Sequence, residues 1–116
     1  MPKIVKTITN NNPAGIKPWI FPEDYSKHFT TNEIETILTP YFDYVQSLTG
    51  FVGTTQEEIG DTLVVKLEFD TMENLNAAES VLQGANPHNI VKTRMDLLKN
   101  KLTELGAEST FTHHVE

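Results

Sequence analysis

The sequence predicts one α+β domain, a four-stranded antiparallel sheet with helices on one face. Three observations predict it. A β-branched segment opens the chain and an alternating segment closes it. An apolar stripe at helical spacing runs from Ile34 to Leu48. Between Phe51 and Leu82, two strand-like runs meet at a glycine turn and lead into a helix. Strands alternate faces at every residue while helices return to one face every three or four, so these patterns separate the two.

Lys3 to Thr9 is the first predicted strand. The NNNPAG segment ends it, because Asn, Pro and Gly favour turns. The connection over 10–30 is Pro-rich and aromatic: Pro13, Pro18 and Pro22 alternate with Trp19, Phe21, Tyr25 and Phe29. Pro22-Glu23-Asp24 can open one or two helical turns, with proline first and acids at the positive end. So aromatic an arm is expected to fold back on the body.

Thr30-Thr31-Asn32-Glu33 matches a capping box. Ile34, Ile37, Leu38, Tyr41, Phe42, Val45 and Leu48 follow on one stripe. Pro40 interrupts it by lacking an N–H for the carbonyl of Thr36. The stripe keeps phase, which predicts one kinked helix or two abutting ones with Thr39 capping the second. Gly50 is the expected stop.

Phe51 to Gln56 is the second strand, and Glu57 to Asp61 a turn around Gly60. In the third strand Leu63, Val65, Leu67 and Phe69 share a face. Asp70 or Thr71 caps a helix with Met72, Leu75, Ala78 and Leu82 inward. After Gly84–Pro87, Asn86-Pro87 starts another helix, with Val91, Met95, Leu98, Leu102 and Leu105 on its stripe and Gly106 after it. Ser109 to Val115 is the last strand. The order β-α-β-β-α-α-β fits the ferredoxin-like plan.

With 116 residues, 1–116 is expected to be a single domain. Composition is 38% hydrophobic and 22% charged, which suits a globular chain rather than a disordered one. The net charge of −7 and scattered lysines argue against nucleic acid as a partner. With no cysteine, disulfides and thiolate chemistry are excluded. The N-terminus lacks a signal-peptide core and no apolar run spans a membrane, so a cytoplasmic location is the expectation.

The block GFVGTTQEEIGDTLVVKLEFDTMENLNAAESVL, roughly a third of the chain, resembles the second half of dimeric α/β-barrel proteins. That superfamily contains antibiotic-biosynthesis-type monooxygenases and stress-response barrel proteins. Gly50-Phe51, the strand ending at Phe69, and Glu73 to Ala78 carry the resemblance. It implies a homodimer with sheets packed face to face and a cavity between each sheet and its helices. Some members oxidise polycyclic substrates without a cofactor, and others degrade haem. Phe69 stands where the family often has Trp, and the Asn-Trp-His set of the haem-degrading branch is not evident.

Nothing in the chain matches a phosphate loop, nucleophile elbow or metalloprotease helix. Neighbouring histidines on a strand face opposite ways, so His113 and His114 do not suit one metal ion, and no metal or cofactor is expected. His28 is the candidate acid, base or ligand donor, with Glu23 or Asp24 as its nearest orienting partners. The arm has three readings: a cap on the core, a partner contact, or a lid over a pocket. Tyr41 belongs to the core with its hydroxyl at an edge, and Tyr44 lies off the stripe, exposed. Glu57, Glu58 and Asp61 read as a solvated turn.

Trp19, Tyr25, His28 and Tyr41 are therefore the candidate binding residues for a small apolar ligand. The expected function is a dimeric barrel with cofactor-independent monooxygenase-type chemistry. The alternative is a non-enzymatic interaction or accessory module, for instance one encoded by a virus, that works through the arm.

Overall fold

A computed structural model describes residues 1–12 and 16–116. Pro13 to Gly15 of the turn expected at NNNPAG lie outside the described residues. Four strands form one antiparallel sheet: β1 (Lys3–Asn10), β2 (Phe51–Ile59), β3 (Thr62–Phe69) and β4 (Ser109–Val115), in the order β2-β3-β1-β4. The β1–β3 register pairs Ile4 with Leu67, Lys6 with Val65 and Ile8 with Leu63. These residues share the helix-covered face with Phe69. The architecture is the predicted one.

The β2–β3 hairpin is tighter than expected. Strand β2 runs on to Ile59, leaving Gly60-Asp61 as a two-residue turn. Gly60 has φ +59° and no non-glycine among the described residues has positive φ. Positive φ at the first central position alone is the requirement of a type II′ hairpin turn, which suits strand twist.

The arm begins its helical part at Pro22–Asp24 and continues as α1 (Tyr25–His28). Thr30 caps α2 (Thr31–Glu33) with the full capping box: its hydroxyl accepts from Glu33 N at 3.1 Å, and Glu33 Oε1 accepts from Thr30 N at 2.8 Å. The alternatives at Pro40 resolve into a third arrangement. A wide π turn occupies Ile34–Leu38, with Thr39 N donating to Ile34 O, and passes straight into α3 (Thr39–Ser47). The wider turn moves the carbonyl that a proline ring would strike. Thr39 thus sits inside the helical run and does not cap it.

Thr71 is the cap of α4 (Met72–Leu82), accepting from Asn74 N at 3.2 Å, while Asp70 accepts from the Asn74 side chain at 2.8 Å. Leu75, Ala78 and Leu82 are buried, but Met72, the first residue of the helix, is half exposed. His88, rather than Asn86-Pro87, starts α5 (Asn89–Glu104): its Nδ1 accepts from Ile90 N at 3.1 Å. The inward stripe of α5 is also rotated from the prediction. Val91, Arg94, Leu97 and Leu98 turn in, while Met95 and Leu105 are exposed. An arginine takes the inward position assigned to a methionine. Tyr44 is half-buried rather than exposed, stacked on His88 at 4.2 Å between ring centres.

Two apolar clusters fill the interior. One joins Ile4, Leu67 and Phe69 of the sheet to Tyr41, Val45, Leu75, Leu82 and Val91 of the helices. The other lies under the arm, where Tyr25, Phe29 and Leu38 pack with Ile20, Leu97 and Leu98. Phe42 packs against both. Strand β4 is different: exposed along its whole length, it pairs with β1 alone.

Candidate functional site

The four predicted site residues separate into two places. Trp19 and His28 line an open groove of about 460 Å³ with Ile16, Ile20, Phe21 and Leu105, and Asp24 and Lys17 are its charged walls. The arm's N-terminal end is tied to the body. Asn12 accepts from Glu108 N at 2.9 Å and donates to Ile16 O at 3.0 Å, while Lys17 meets Glu58 of β2 at 2.7 Å. Trp19 is buried, and its Nε1–H has no hydrogen-bond partner. An unpaired buried donor is costly and marks a place where a carbonyl or hydroxyl oxygen would be stabilised.

Tyr25 and Tyr41 lie deeper, in a polar cluster on the helix-covered face of the sheet. Tyr25 is buried, edge-on to Phe29 at 5.7 Å and stacked over Phe42 at 6.4 Å. Tyr41 is buried with the Arg94 guanidinium over its ring, 4.1 Å from the centroid. Lys6, central in β1, lies on the helix-covered face of the sheet, where its charge acts on the Tyr41 hydroxyl. By surface area Lys6 and Arg94 are only half-buried residues, but the Arg94 Nε atom is fully enclosed without a partner.

Charge and burial compete in this cluster. Burial pushes the Tyr41 hydroxyl up, but the Lys6 ammonium and then the Arg94 guanidinium more than reverse it, so the hydroxyl ionises below the ordinary tyrosine value. Burial pulls Lys6 below the ordinary lysine value, against the favourable pull of Tyr41 and with repulsion from Arg94. Burial raises Tyr25, and Arg94 only partly offsets it. One fold therefore holds two tyrosines shifted in opposite directions, a pattern of sites that handle protons.

The sequence reading missed Lys6 and Arg94. A signal was present: Lys6 interrupts the Ile4–Ile8 face of β1, and Arg94, the only arginine, stands three after Val91 and four before Leu98. A second hollow of about 330 Å³ lies beneath Phe21, between Glu23 and the Gln56–Glu58 end of β2. His113 and His114 do face opposite sides, paired with Lys6 and Val5 of β1. The arm is neither free nor floating, since Trp19, Tyr25 and Phe29 are all buried.

No protein-family model and no curated protein matches the chain in sequence. Solved structures do match in shape. SnoaB, described as a cofactor-independent oxygenase from Streptomyces nogalater, aligns over 99% of this chain and 89% of its own at 13% identity, with a TM-score of 0.52. A dimeric ferredoxin-like protein from an uncultured marine organism aligns over 99% and 92% at 10% identity, with the same TM-score of 0.52. The chain has the ferredoxin-like fold of these proteins. The fold implied by the block from Gly50 to Leu82 is thus the fold observed. Among the described residues, no helix is long and apolar enough to cross a membrane.

Proposed function

We propose that the protein binds a small apolar ring in the groove beneath the arm and oxygenates it without a cofactor, working as a homodimer. The groove carries this reading: aromatic and aliphatic walls, one unpaired buried donor at Trp19, and one imidazole at His28. Such a mixture of apolar wall and sparse polar groups is what small-molecule sites present. The shape shared with a cofactor-independent oxygenase supports the reaction class.

In this reading His28 takes a proton from an acidic CH₂ of an enolisable ring. The electron pair stays on the ring as an enolate. Dioxygen is the oxidant: one of its atoms becomes the new carbonyl and the other leaves as water. Trp19 Nε1–H holds the ring oxygen. The homodimer joins the uncovered sheet faces, where Thr7, Thr9, Thr62 and Val64 make a surface with little charge at its centre.

Oxygen uptake with anthrone-type rings tests the reaction, and native mass spectrometry tests the dimer. His28→Ala is expected to lose most turnover while keeping the fold. Uptake that is unchanged in that variant removes the role of His28, and a monomer at all concentrations removes the barrel dimer.

A second reading has one observation behind it. Ile16 and Leu105, on the groove's rim, are about two-fifths exposed. An apolar side chain of a partner protein would cover them as well as a free ring would. Deleting the arm is a poor test, because removing Trp19 opens the core. Leu105→Asp tests it better: lost partner binding, in a protein whose parent takes up no oxygen with any ring tried, favours the interaction module.

A further inference from the structure

We propose that Lys6 and Arg94 form a binding site for a planar organic oxyanion, a carboxylate or an ionised phenol or enol, with His113 at its mouth. This site is distinct from the groove and stands whether or not the groove takes a ring.

Two cations converge on one buried tyrosine, Lys6 from β1 and Arg94 from α5. Among the described residues, neither has a carboxylate within 4.0 Å, although five other ion pairs form, all at the surface. Bringing like charges together in a desolvated place is unfavourable unless an anion joins them. Among the described residues, the hydroxyl of Tyr41 is the group that both cations act on, and they hold its ionisation below the ordinary tyrosine value. Tyr25 on α1 faces the same guanidinium but is held protonated by its burial.

Arg94 also keeps a donor in reserve. Its Nε–H is enclosed and unpaired. A guanidinium edge presents parallel N–H groups that match the two oxygens of a carboxylate. A planar oxyanion satisfies that donor and neutralises Lys6 at once. The rings of Tyr25 and Tyr41 flank it.

The approach we infer is from the β4 side, the least covered strand of the sheet. Lys6 lies opposite His113 across the β1–β4 ladder, on the same face of the sheet. Strand β4 is exposed throughout, and its Phe111, two residues before His113, is half exposed. Lys6 is therefore approached from the His113 flank, while Val65 of β3 closes the other.

Because Arg94 is the only arginine, its Nε–H nuclear resonance is assigned without mutagenesis. Titration of the full chain with benzoate and with 4-nitrophenolate, at constant ionic strength, is the test. The Arg94 Nε–H resonance should shift and saturate with at least one of the two, and which one distinguishes a carboxylate from a phenolate ligand. Affinity should fall about tenfold or more in Lys6→Met, the loss expected for a charge-assisted contact. It should be retained in Lys6→Arg and in Lys92→Ala, an exposed position on the same helix. Saturating anion should also move the Tyr41 ionisation to higher pH, since it takes over the cations. An Arg94 resonance that neither anion moves overturns the proposal, as does equal affinity in Lys6→Met. If Lys6→Met fails to fold, the wild-type resonance and Lys6→Arg still decide.

Discussion

The guanidinium carbon of Arg94 stands 4.1 Å from the centre of the Tyr41 ring, a cation over an aromatic face in the interior between α3 and α5. A desolvated pair of this kind contributes about 1–2 kcal/mol. Arg94→Met keeps the aliphatic packing and removes the charge. We expect it to lower stability by about that amount in urea unfolding, with Arg94→Lys recovering part of the loss. An Arg94→Met protein as stable as the parent contradicts a net stabilising contact.

The same cluster sets a pH dependence. Tyr41 releases its proton in the folded protein before it does in the unfolded chain, because Lys6 and Arg94 outweigh its burial. Its contribution to stability is full above the ordinary tyrosine value and is lost as pH falls through the folded value. Lys6, lowered chiefly by burial, acts in the same direction: the unfolded chain holds its proton to higher pH. Tyr25 acts oppositely, since its raised value costs stability as pH climbs past the ordinary tyrosine range. The difference in tyrosinate absorbance between wild type and Tyr41→Phe isolates the Tyr41 titration. Lys6→Met should carry that titration upward. A downward move or no move refutes the assignment to Lys6.

Thr30→Ala removes the side-chain half of the capping box, the hydroxyl that accepts from Glu33 N, and leaves the backbone N–H at that position free to donate to Glu33. The expected cost is about 1 kcal/mol, read as a lower denaturation midpoint with unchanged slope. Thr30→Ser, which keeps the acceptor, should cost little.

Gly50 and Gly60 have φ of +79° and +59°, so alanine is strained at both. They differ in their surroundings. A β-carbon at Gly50 lands on the Asp70 and Asn74 side chains, which bond to each other at the start of α4, while Gly60 faces open space. Gly60→Ala should cost about 1 kcal/mol from backbone strain, and Gly50→Ala clearly more. Calorimetric midpoints compare them directly, and equal losses would mean that the Asp70–Asn74 pair gives way freely.

The scaffold was legible because periodicity states which residues turn inward. Leu63, Leu67 and Phe69 on β3 and Leu75, Ala78 and Leu82 on α4 are buried as the alternation and the helical repeat require. Capping was legible at Thr30, where two side chains answer each other, and less so at His88, whose imidazole is an uncommon cap. The candidate site was half legible. The aromatic arm announced itself by composition, and Trp19 and His28 do meet in one groove. Lys6 and Arg94 stayed hidden because a lone cation inside an apolar pattern reads as a surface residue. Only the meeting of β1 with α3 and α5 brings them onto one ring, and no local pattern encodes that meeting.

The surplus residue in the turn at Ile34–Leu38 has a consequence of its own. Each residue of a helix advances its facing by about 100°, so one extra residue resets the phase between the helical segments on its two sides. Upstream of the turn hangs the arm with Tyr25 and Phe29, and downstream stands Tyr41. The angular match between arm and cluster is thus geared to a residue count rather than to any side chain. Deleting a single residue between Ile34 and Leu38 would close the turn to regular α pitch and set the Pro40 ring against a carbonyl one turn back. It would also swing the arm by more than a quarter turn off the surface it covers.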